Sequence, residues 1–144
     1  MIKILLTCNR LHETILTTWK GSSPMSESFK AIDPANVVRQ ITFGQAQALV
    51  FQNRAAMAIA AANAIAAAMR RAAGMKSSFR MVFAAAPSQL EVLNALTTIP
   101  NLPWDQVVAF HMDDYLDLPA EAPQRFANWL EGHLFSKVPL LSLI

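Results

Sequence analysis

The chain is poor in cysteine, glycine and charge, and each shortage excludes a class of protein. Its 144 residues include one cysteine, Cys8, so no intramolecular disulfide can form, which is typical of a reducing compartment. The four glycines form neither a P-loop nor a dinucleotide-binding motif. No run of about 18 uninterrupted apolar residues predicts a membrane span, and the apolar run in MIKILLTC is too short for a secretory signal. We therefore expect a cytoplasmic protein with no membrane partner.

The low charge content also predicts the kind of surface. Charged residues make up 15% and hydrophobic residues 53%, which favours a globular interior over disorder. So little charge indicates apolar surface covered by a partner subunit, such as a second copy, or by missing chain. The loose basic group Arg70, Arg71, Lys76 and Arg80 complements a helix end. Because no aromatic residues interleave with it, we expect no nucleic-acid partner.

The chain divides into a head, residues 1–40, to which no function is assigned, and a body, residues 41–144, in which strands and helices alternate. Strands are predicted at 47–51, 79–86 and 107–112, and helices from the N-cap Asn53 to the C′ residue Gly74, at 88–99 and at 123–135. This alternation predicts an α/β fold: an open parallel sheet with right-handed crossovers, in a Rossmann-like, three-layer arrangement.

Two turns of this predicted sheet are candidate binding sites, because open α/β sheets bind ligands beyond the carboxyl ends of their strands. The first turn, APSQ at 86–89, places Ser88 at a helix start, where free N–H groups and the hydroxyl can bind a phosphate. Ser88 and Glu91 also form the S-x-x-E capping box, so Ser88 can equally be a simple helix cap.

The second turn, HMDDY at 111–115, places Asp113 and Asp114 at the end of a buried strand. A carboxylate there can act as a general base whose pKa is set by its surroundings. Alternatively, one aspartate caps a local turn and the other is solvated. His111 lies two residues before Asp113, on the same side of an extended strand. A metal site made of His111, Asp113 and Asp114 is conceivable, but no further pair of ligands supports it. The alternative is that His111 is a partly buried histidine without a metal.

The stretch VVAFHMDDYLDLPAEAPQRFANWLEGHLFSKV, residues 107–138, resembles the region around the catalytic aspartate of the glucosamine-6-phosphate deaminase family. There a strand leads into Met-Asp-Glu-Tyr, then Gly-Leu-Pro, then a Pro-Glu-Ser-Tyr helix that ends in Phe-Phe. The matching positions are Met112 to Tyr115, Leu118-Pro119, Pro123 and Phe135. APSQ occupies the place of the family's Gly-Gly/Ser-Thr-Pro phosphate loop, and the likeness covers about residues 46–138.

The resemblance implies a small-molecule sugar phosphate as the ligand and neither a cofactor nor a metal. Asp113 falls on the carboxylate that shuttles a proton during aldose–ketose isomerisation with deamination, and Asp114 falls on the family's glutamate. Ala86, Ser88 and Gln89 fall on the substrate-binding loop, with Ser88 on the family's threonine. A non-catalytic phosphosugar-binding or regulatory module remains an alternative, as does a 6-phosphogluconolactonase, a family related in fold.

Departures from the family pattern predict a divergent and incomplete member. Ala86 and Pro87 replace the loop glycines, and Asp117, Ala122 and Arg125 replace a glycine, a histidine and a serine. The family also continues into a Gly-x-Asp-Gly-His segment with the ring-opening histidine, whereas this sequence ends at VPLLSLI. We therefore expect a truncated form, with a fold incomplete at the C-terminus and catalysis by this chain alone uncertain.

Overall fold

The computed structural model describes residues 5–8, 14–19, 32–44 and 46–144. It is a mixed α/β structure with two sheets and three α-helices in these described residues. The strands are β1 (Leu5–Cys8), β2 (Thr14–Trp19), β3 (Val37–Phe43), β4 (Ala46–Phe51), β5 (Phe79–Phe83), β6 (Val107–His111) and β7 (Ser142–Leu143). The helices are α1 (Arg54–Met75), α2 (Leu90–Thr98) and α3 (Phe126–His133). Across the described ranges, none of the helices has the length and apolar character to cross a membrane.

The first sheet is antiparallel, in the order β1-β2-β4-β3. Strands β3 and β4 form a hairpin whose two-residue loop begins at Gly44, with φ of +56°. Glycine adopts this left-handed conformation without a steric penalty, which is why hairpin loops favour it. The boundary placed at residue 40 falls inside β3, and two strands from the head, β1 and β2, extend the sheet beyond β4.

The second sheet is parallel, in the order β5-β6-β7. Its register pairs Phe83, the last residue of β5, with His111, the last residue of β6. Helix α2 connects β5 to β6, and α3 lies between β6 and β7. The carboxyl ends of β5 and β6 therefore meet at one edge of the sheet, which is called the carboxyl edge below.

The prediction that residues 47–51 join this parallel sheet is wrong. They form β4, which pairs antiparallel with β2 on one side and with β3 on the other. Because the backbone hydrogen-bonding groups on both edges of β4 are used, neither edge is open to a parallel neighbour. The predicted strands at 79–86 and 107–112 do pair in parallel, over Phe79–Phe83 and Val107–His111.

Helix α1 is the element shared by both cores. Alanines 58, 60, 61 and 64 pack with β4 in one core, whereas Ala62, Ala66 and Met69 pack with β5, β6, α2 and α3 in the other. The partly buried side chain of Ile65 contacts both. A helix that is apolar on several sides is stable only when neighbours cover those sides. The small alanine side chains let both layers approach the helix closely.

The ends of the helices differ in part from their predicted positions. The Asn53 side chain accepts a hydrogen bond from the backbone N–H of Ala56 at 2.9 Å, which confirms it as the N-cap of α1. Gly74 is not the C′ residue, because α1 continues to Met75 and ends where Lys76 is extended. Helix α3 spans Phe126–His133, which is shorter at both ends than the predicted 123–135.

The predicted capping box of α2 is also wrong. Residues Pro87–Gln89 form a 3-10 turn, α2 begins at Leu90, and no side chain caps it. The Glu91 carboxylate instead accepts two hydrogen bonds from Arg54, at 2.9 and 2.8 Å, and so ties the start of α2 to the start of α1. The hydrogen bond from Arg54 lowers the pKa of Glu91, and partial burial opposes that effect without cancelling it.

The buried contacts of α2 predict a large effect of truncation. Leu96 is 0% exposed between α1, α3 and the parallel sheet, whereas Leu116 is 97% exposed in a loop. Leu96→Ala removes packed methyl groups and leaves a cavity, so we expect it to lower the free energy of unfolding by about 2–5 kcal/mol. Leu116→Ala is the matched control and stays within about 0.5 kcal/mol of wild type. Urea unfolding followed by circular dichroism measures both, and equal effects would contradict this packing.

A double-mutant cycle on Arg54→Met and Glu91→Gln measures the tie between α1 and α2. Their side chains are 40% and 41% exposed, so solvent screens the pair and we expect a coupling of roughly 0.5–1 kcal/mol at pH 7. Because the folded-state pKa of Glu91 is lowered, this contribution is complete above the ordinary glutamate pKa of about 4.3 and is lost as the pH falls through the folded value. A coupling unchanged at pH 2 would contradict the pairing.

Candidate functional site

Two loops leave the carboxyl edge side by side. Residues 84–89 follow β5, and residues 112–125 follow β6. The backbone N–H of Met112 donates to the carbonyl of Phe83 at 2.8 Å, so the pairing continues one residue past β6. Both turns that the sequence singles out therefore start from adjacent strand ends. Between residues 86–89 and residues 111–125, the described chain contains no hydrogen bond or ion pair.

The first turn offers few donors to a ligand. Pro87 has no N–H, and the N–H of Gln89 donates to the carbonyl of Ala86 at 2.9 Å. The half-buried hydroxyl of Ser88 makes no hydrogen bond in the described part of the chain, so it is free to contact a ligand. The backbone of strand β1 runs close to this turn. Of the three predicted binding residues, Ser88 and Gln89 thus present polar side chains without a hydrogen bond in the described part of the chain, and Ala86 contributes backbone alone.

Asp114 is the polar group of the second turn with the most hydrogen bonds, and its side chain is 8% exposed. Its carboxylate accepts hydrogen bonds from three backbone N–H groups and one guanidinium nitrogen: Tyr115 N (2.8 Å), Phe126 N (3.0 Å), Ala127 N (3.3 Å) and Arg125 Nε (3.2 Å). Two of these N–H groups belong to the first turn of α3, where no helical carbonyl is available to accept them. Asp114 therefore caps α3 from twelve residues upstream of Phe126 and fastens the loop to the helix.

This environment keeps Asp114 ionised. Burial of the carboxylate raises its pKa, but the four hydrogen bonds outweigh burial and hold the pKa of Asp114 below its usual range. An effective general acid or base has a pKa near the working pH. The hydrogen bonds therefore assign Asp114 to holding the loop, and they leave Asp113 as the carboxylate of this turn that is free to contact a ligand.

Two further side chains meet one oxygen of Asp114. Arg125 Nε lies 3.2 Å from Oδ2, and His111 Nε2 lies 3.8 Å from the same atom. The side chains of His111 and Arg125 are 31% and 26% exposed, so both also reach the surface. His111, Asp114 and Arg125 are called the edge cluster below. In this cluster two nitrogen-bearing side chains approach one buried carboxylate at the carboxyl edge.

Asp113 precedes Asp114 in the sequence but does not belong to the edge cluster. It is exposed, and in the described part of the chain its carboxylate has no hydrogen bond or ion pair. Exposed apolar side chains follow the loop around it, at Met112, Tyr115 and Leu116. The carboxylate is therefore available to a ligand, with exposed apolar side chains nearby in the sequence at Met112 and Tyr115.

The loop that carries Asp113 is fastened at several points. Asn128 of α3 donates to the carbonyls of Ala120 and Ala122 at 2.7 and 2.9 Å. The rings of Tyr115 and Phe126 pack with their centroids 5.1 Å apart. Together with the bonds of Asp114, these contacts hold residues 114–122 against the start of α3. Asp113 thus projects from a fixed backbone.

A three-ligand metal site does not form here. Among the described residues, no three His, Cys, Asp or Glu side chains converge as a metal ion requires. His111 approaches Asp114, whereas the sequence places it on the side of Asp113. The half-buried His111 therefore belongs to the edge cluster because its Nε2 lies 3.8 Å from a carboxylate oxygen of Asp114.

No protein-family model matches the chain, and no curated protein matches it significantly. The likeness to the deaminase family therefore rests on the quoted residues alone. Arg125 is the site residue that sequence reasoning missed as a functional group. In the sequence Arg125 is noted only as a replacement for the family's serine. Nothing in the local sequence pattern indicates that it binds Asp114, eleven residues upstream.

The two adjacent aspartates predict opposite effects of the same substitution. Asp114→Asn places an amide where four donors need acceptors, so we expect the melting temperature at pH 7 to fall by several degrees. Asp113→Asn, the matched control, leaves it unchanged because Asp113 makes no such bond. Since the folded-state pKa of Asp114 is lowered, the deficit is full above the ordinary aspartate pKa of about 3.9 and shrinks as the pH falls below it. Thermal unfolding between pH 3 and 7 measures both, and equal deficits would refute the cap.

Proposed function

We propose that the chain is a glucosamine-6-phosphate deaminase/isomerase-like protein that acts on an amino-sugar phosphate by proton transfer between C1 and C2. The observation that carries the proposal is Asp113, an exposed and unpaired carboxylate on a fixed loop at the carboxyl edge. The proposal includes a Rossmann-like, three-layer arrangement around the parallel sheet and a cytoplasmic location, which fits the single cysteine.

In this proposal Asp113 is the proton shuttle. Its carboxylate takes the proton from C2, the carbon next to the C1 carbonyl, and returns it to C1, which leaves an iminium group at C2. Water then adds to C2 and the nitrogen leaves as ammonium, which gives the ketose phosphate. The proton transfer needs a base held at a fixed position relative to the substrate. The hydrogen bonds of Asp114 supply that position, because they fix the adjacent backbone to α3.

The first turn holds the substrate in this arrangement. The free hydroxyl of Ser88 donates to an oxygen of the sugar phosphate, and the backbone at Ala86 and the side chain of Gln89 line the same turn. Met112 and Tyr115 are exposed apolar neighbours of Asp113. They cover part of a bound sugar and limit access of water to the reacting carbon.

A second candidate function is a phosphosugar-binding or regulatory module without turnover. It is favoured by Ser88, whose hydroxyl has no hydrogen bond within the described residues and can bind a phosphate without any proton transfer at Asp113. The first turn, residues 86–89, and the edge cluster can bind a phosphosugar with or without catalysis, so they fit both functions equally.

Release of ammonium from glucosamine 6-phosphate tests the enzyme. Where the full chain releases ammonium, we expect a loss of about 100-fold or more in kcat for Asp113→Asn, which removes the acid–base group but keeps its shape. The matched control is Asp105→Asn, at an exposed aspartate in the 3-10 turn before β6, and it keeps wild-type kcat.

Two results would contradict this assignment. Turnover that survives Asp113→Asn would exclude Asp113 as the proton shuttle. Saturable binding of the sugar phosphate without release of ammonium would replace the enzyme with the binding module. Hydrolysis of 6-phosphogluconolactone, measured in parallel, identifies the lactonase alternative, since an ester needs only a base that activates water.

A further inference from the structure

Arg125 has more hydrogen-bond donors than its protein contacts use. A guanidinium group carries five N–H donors in a fixed planar fork. Its Nε–H donates to Asp114, and in the described part of the chain the terminal nitrogens, Nη1 and Nη2, have no acceptor. The side chain is 26% exposed, so the guanidinium is accessible to a ligand.

The position of Arg125 is fixed by a carboxylate that does not depend on it. Asp114 already accepts three backbone N–H bonds, two of them from the start of α3. The helix dipole there also favours a negative charge. Asp114 therefore holds the guanidinium through one bond, and the first turn of α3 helps to balance the charge of Asp114. The N-terminus of α3 is occupied by this carboxylate and takes no part in the site described next.

His111 brings a second nitrogen to the same place. Its Nε2 lies 3.8 Å from the oxygen of Asp114 that binds Arg125, and 31% of its side chain is exposed. His111 is the last residue of β6, so both groups lie at the carboxyl edge, where open α/β sheets bind ligands. Two side chains with N–H groups, one of them always cationic, thus converge beside Asp113.

We propose that Arg125 and His111 form a binding site for the phosphate group of a phosphomonoester. Arginine binds phosphate through two parallel N–H bonds, and the unused terminal nitrogens of Arg125 supply them. His111, whose Nε2 approaches the same oxygen of Asp114 as Arg125 does, adds one donor. The assignment of the ester as a sugar phosphate rests on the proposed function, whereas binding of the phosphate itself does not.

Titration with inorganic phosphate, followed by proton–nitrogen NMR spectra of the full chain at constant ionic strength, tests the site. We expect saturable shifts of the amides of residues 111–115 and 125–127 in wild type. Arg125→Gln weakens binding by about tenfold or more, because it removes a charge-assisted pair of bonds. His111→Gln weakens it less. Arg80→Gln is the matched control, since Arg80 is an exposed arginine on β5, and it keeps wild-type affinity.

Further variants separate this site from folding and from catalysis. Arg125→Gln keeps the three backbone bonds of Asp114, so its amide spectrum stays dispersed, and Arg125→Lys gives an intermediate affinity because it keeps the charge without the fork. Asp113→Asn does not weaken phosphate binding. The site is refuted if wild type shows no saturable phosphate binding, or if Arg125→Gln and Arg80→Gln weaken it equally. If the chain binds phosphate through Arg125 but releases no ammonium from glucosamine 6-phosphate, the proposed enzyme is refuted and the phosphate site is not.

Discussion

Close packing of small side chains along α1 is the constraint on which the rest of the structure depends. The helix is buried against an antiparallel sheet on one side and against α2, α3 and a parallel sheet on another. Leucines at the alanine positions would force the two layers apart, because packed interiors do not absorb added volume without strain. The alanine-rich sequence of α1 is therefore a requirement of the two-core arrangement, and high helix propensity is a second benefit of the same residues.

The two-sheet arrangement also determines where a site can form. Because β2 and β3 satisfy both edges of β4, the parallel sheet begins at β5, and its carboxyl edge is built by the loops after β5 and β6. Only the second of these loops is anchored to a helix by a buried charge. Asp114 meets the start of α3, where free N–H groups and the helix dipole offset the cost of burying a carboxylate. The carboxyl edge therefore has one firmly held loop and one short turn.

Local patterns predicted the elements of this fold better than their partners. Asn53 was recognisable as a cap because capping acts within three residues, and the β5 and β6 strands were recognisable as apolar runs. The antiparallel pairing of β4 was not, since its partners lie partly in a head without a clear pattern. Ser88 and Glu91 matched a capping motif, yet Glu91 binds Arg54, 37 residues away, because a bidentate guanidinium outcompetes a single backbone N–H. A local sequence pattern cannot predict a pairing between residues so far apart in the chain.

The same limit applies to the pair Asp113-Asp114, whose residues are identical in chemistry and adjacent in sequence. In the structure Asp114 accepts hydrogen bonds from the start of α3, whereas Asp113 is exposed to solvent. The sequence left open which would be which. Only the position of α3, reached through the loop that Asn128 and Asp114 fasten, decides it. The position of α3 therefore makes Asp114 buried and fully hydrogen-bonded and leaves Asp113 free. Asp113 gains a fixed position because the hydrogen bonds of Asp114 hold the adjacent backbone.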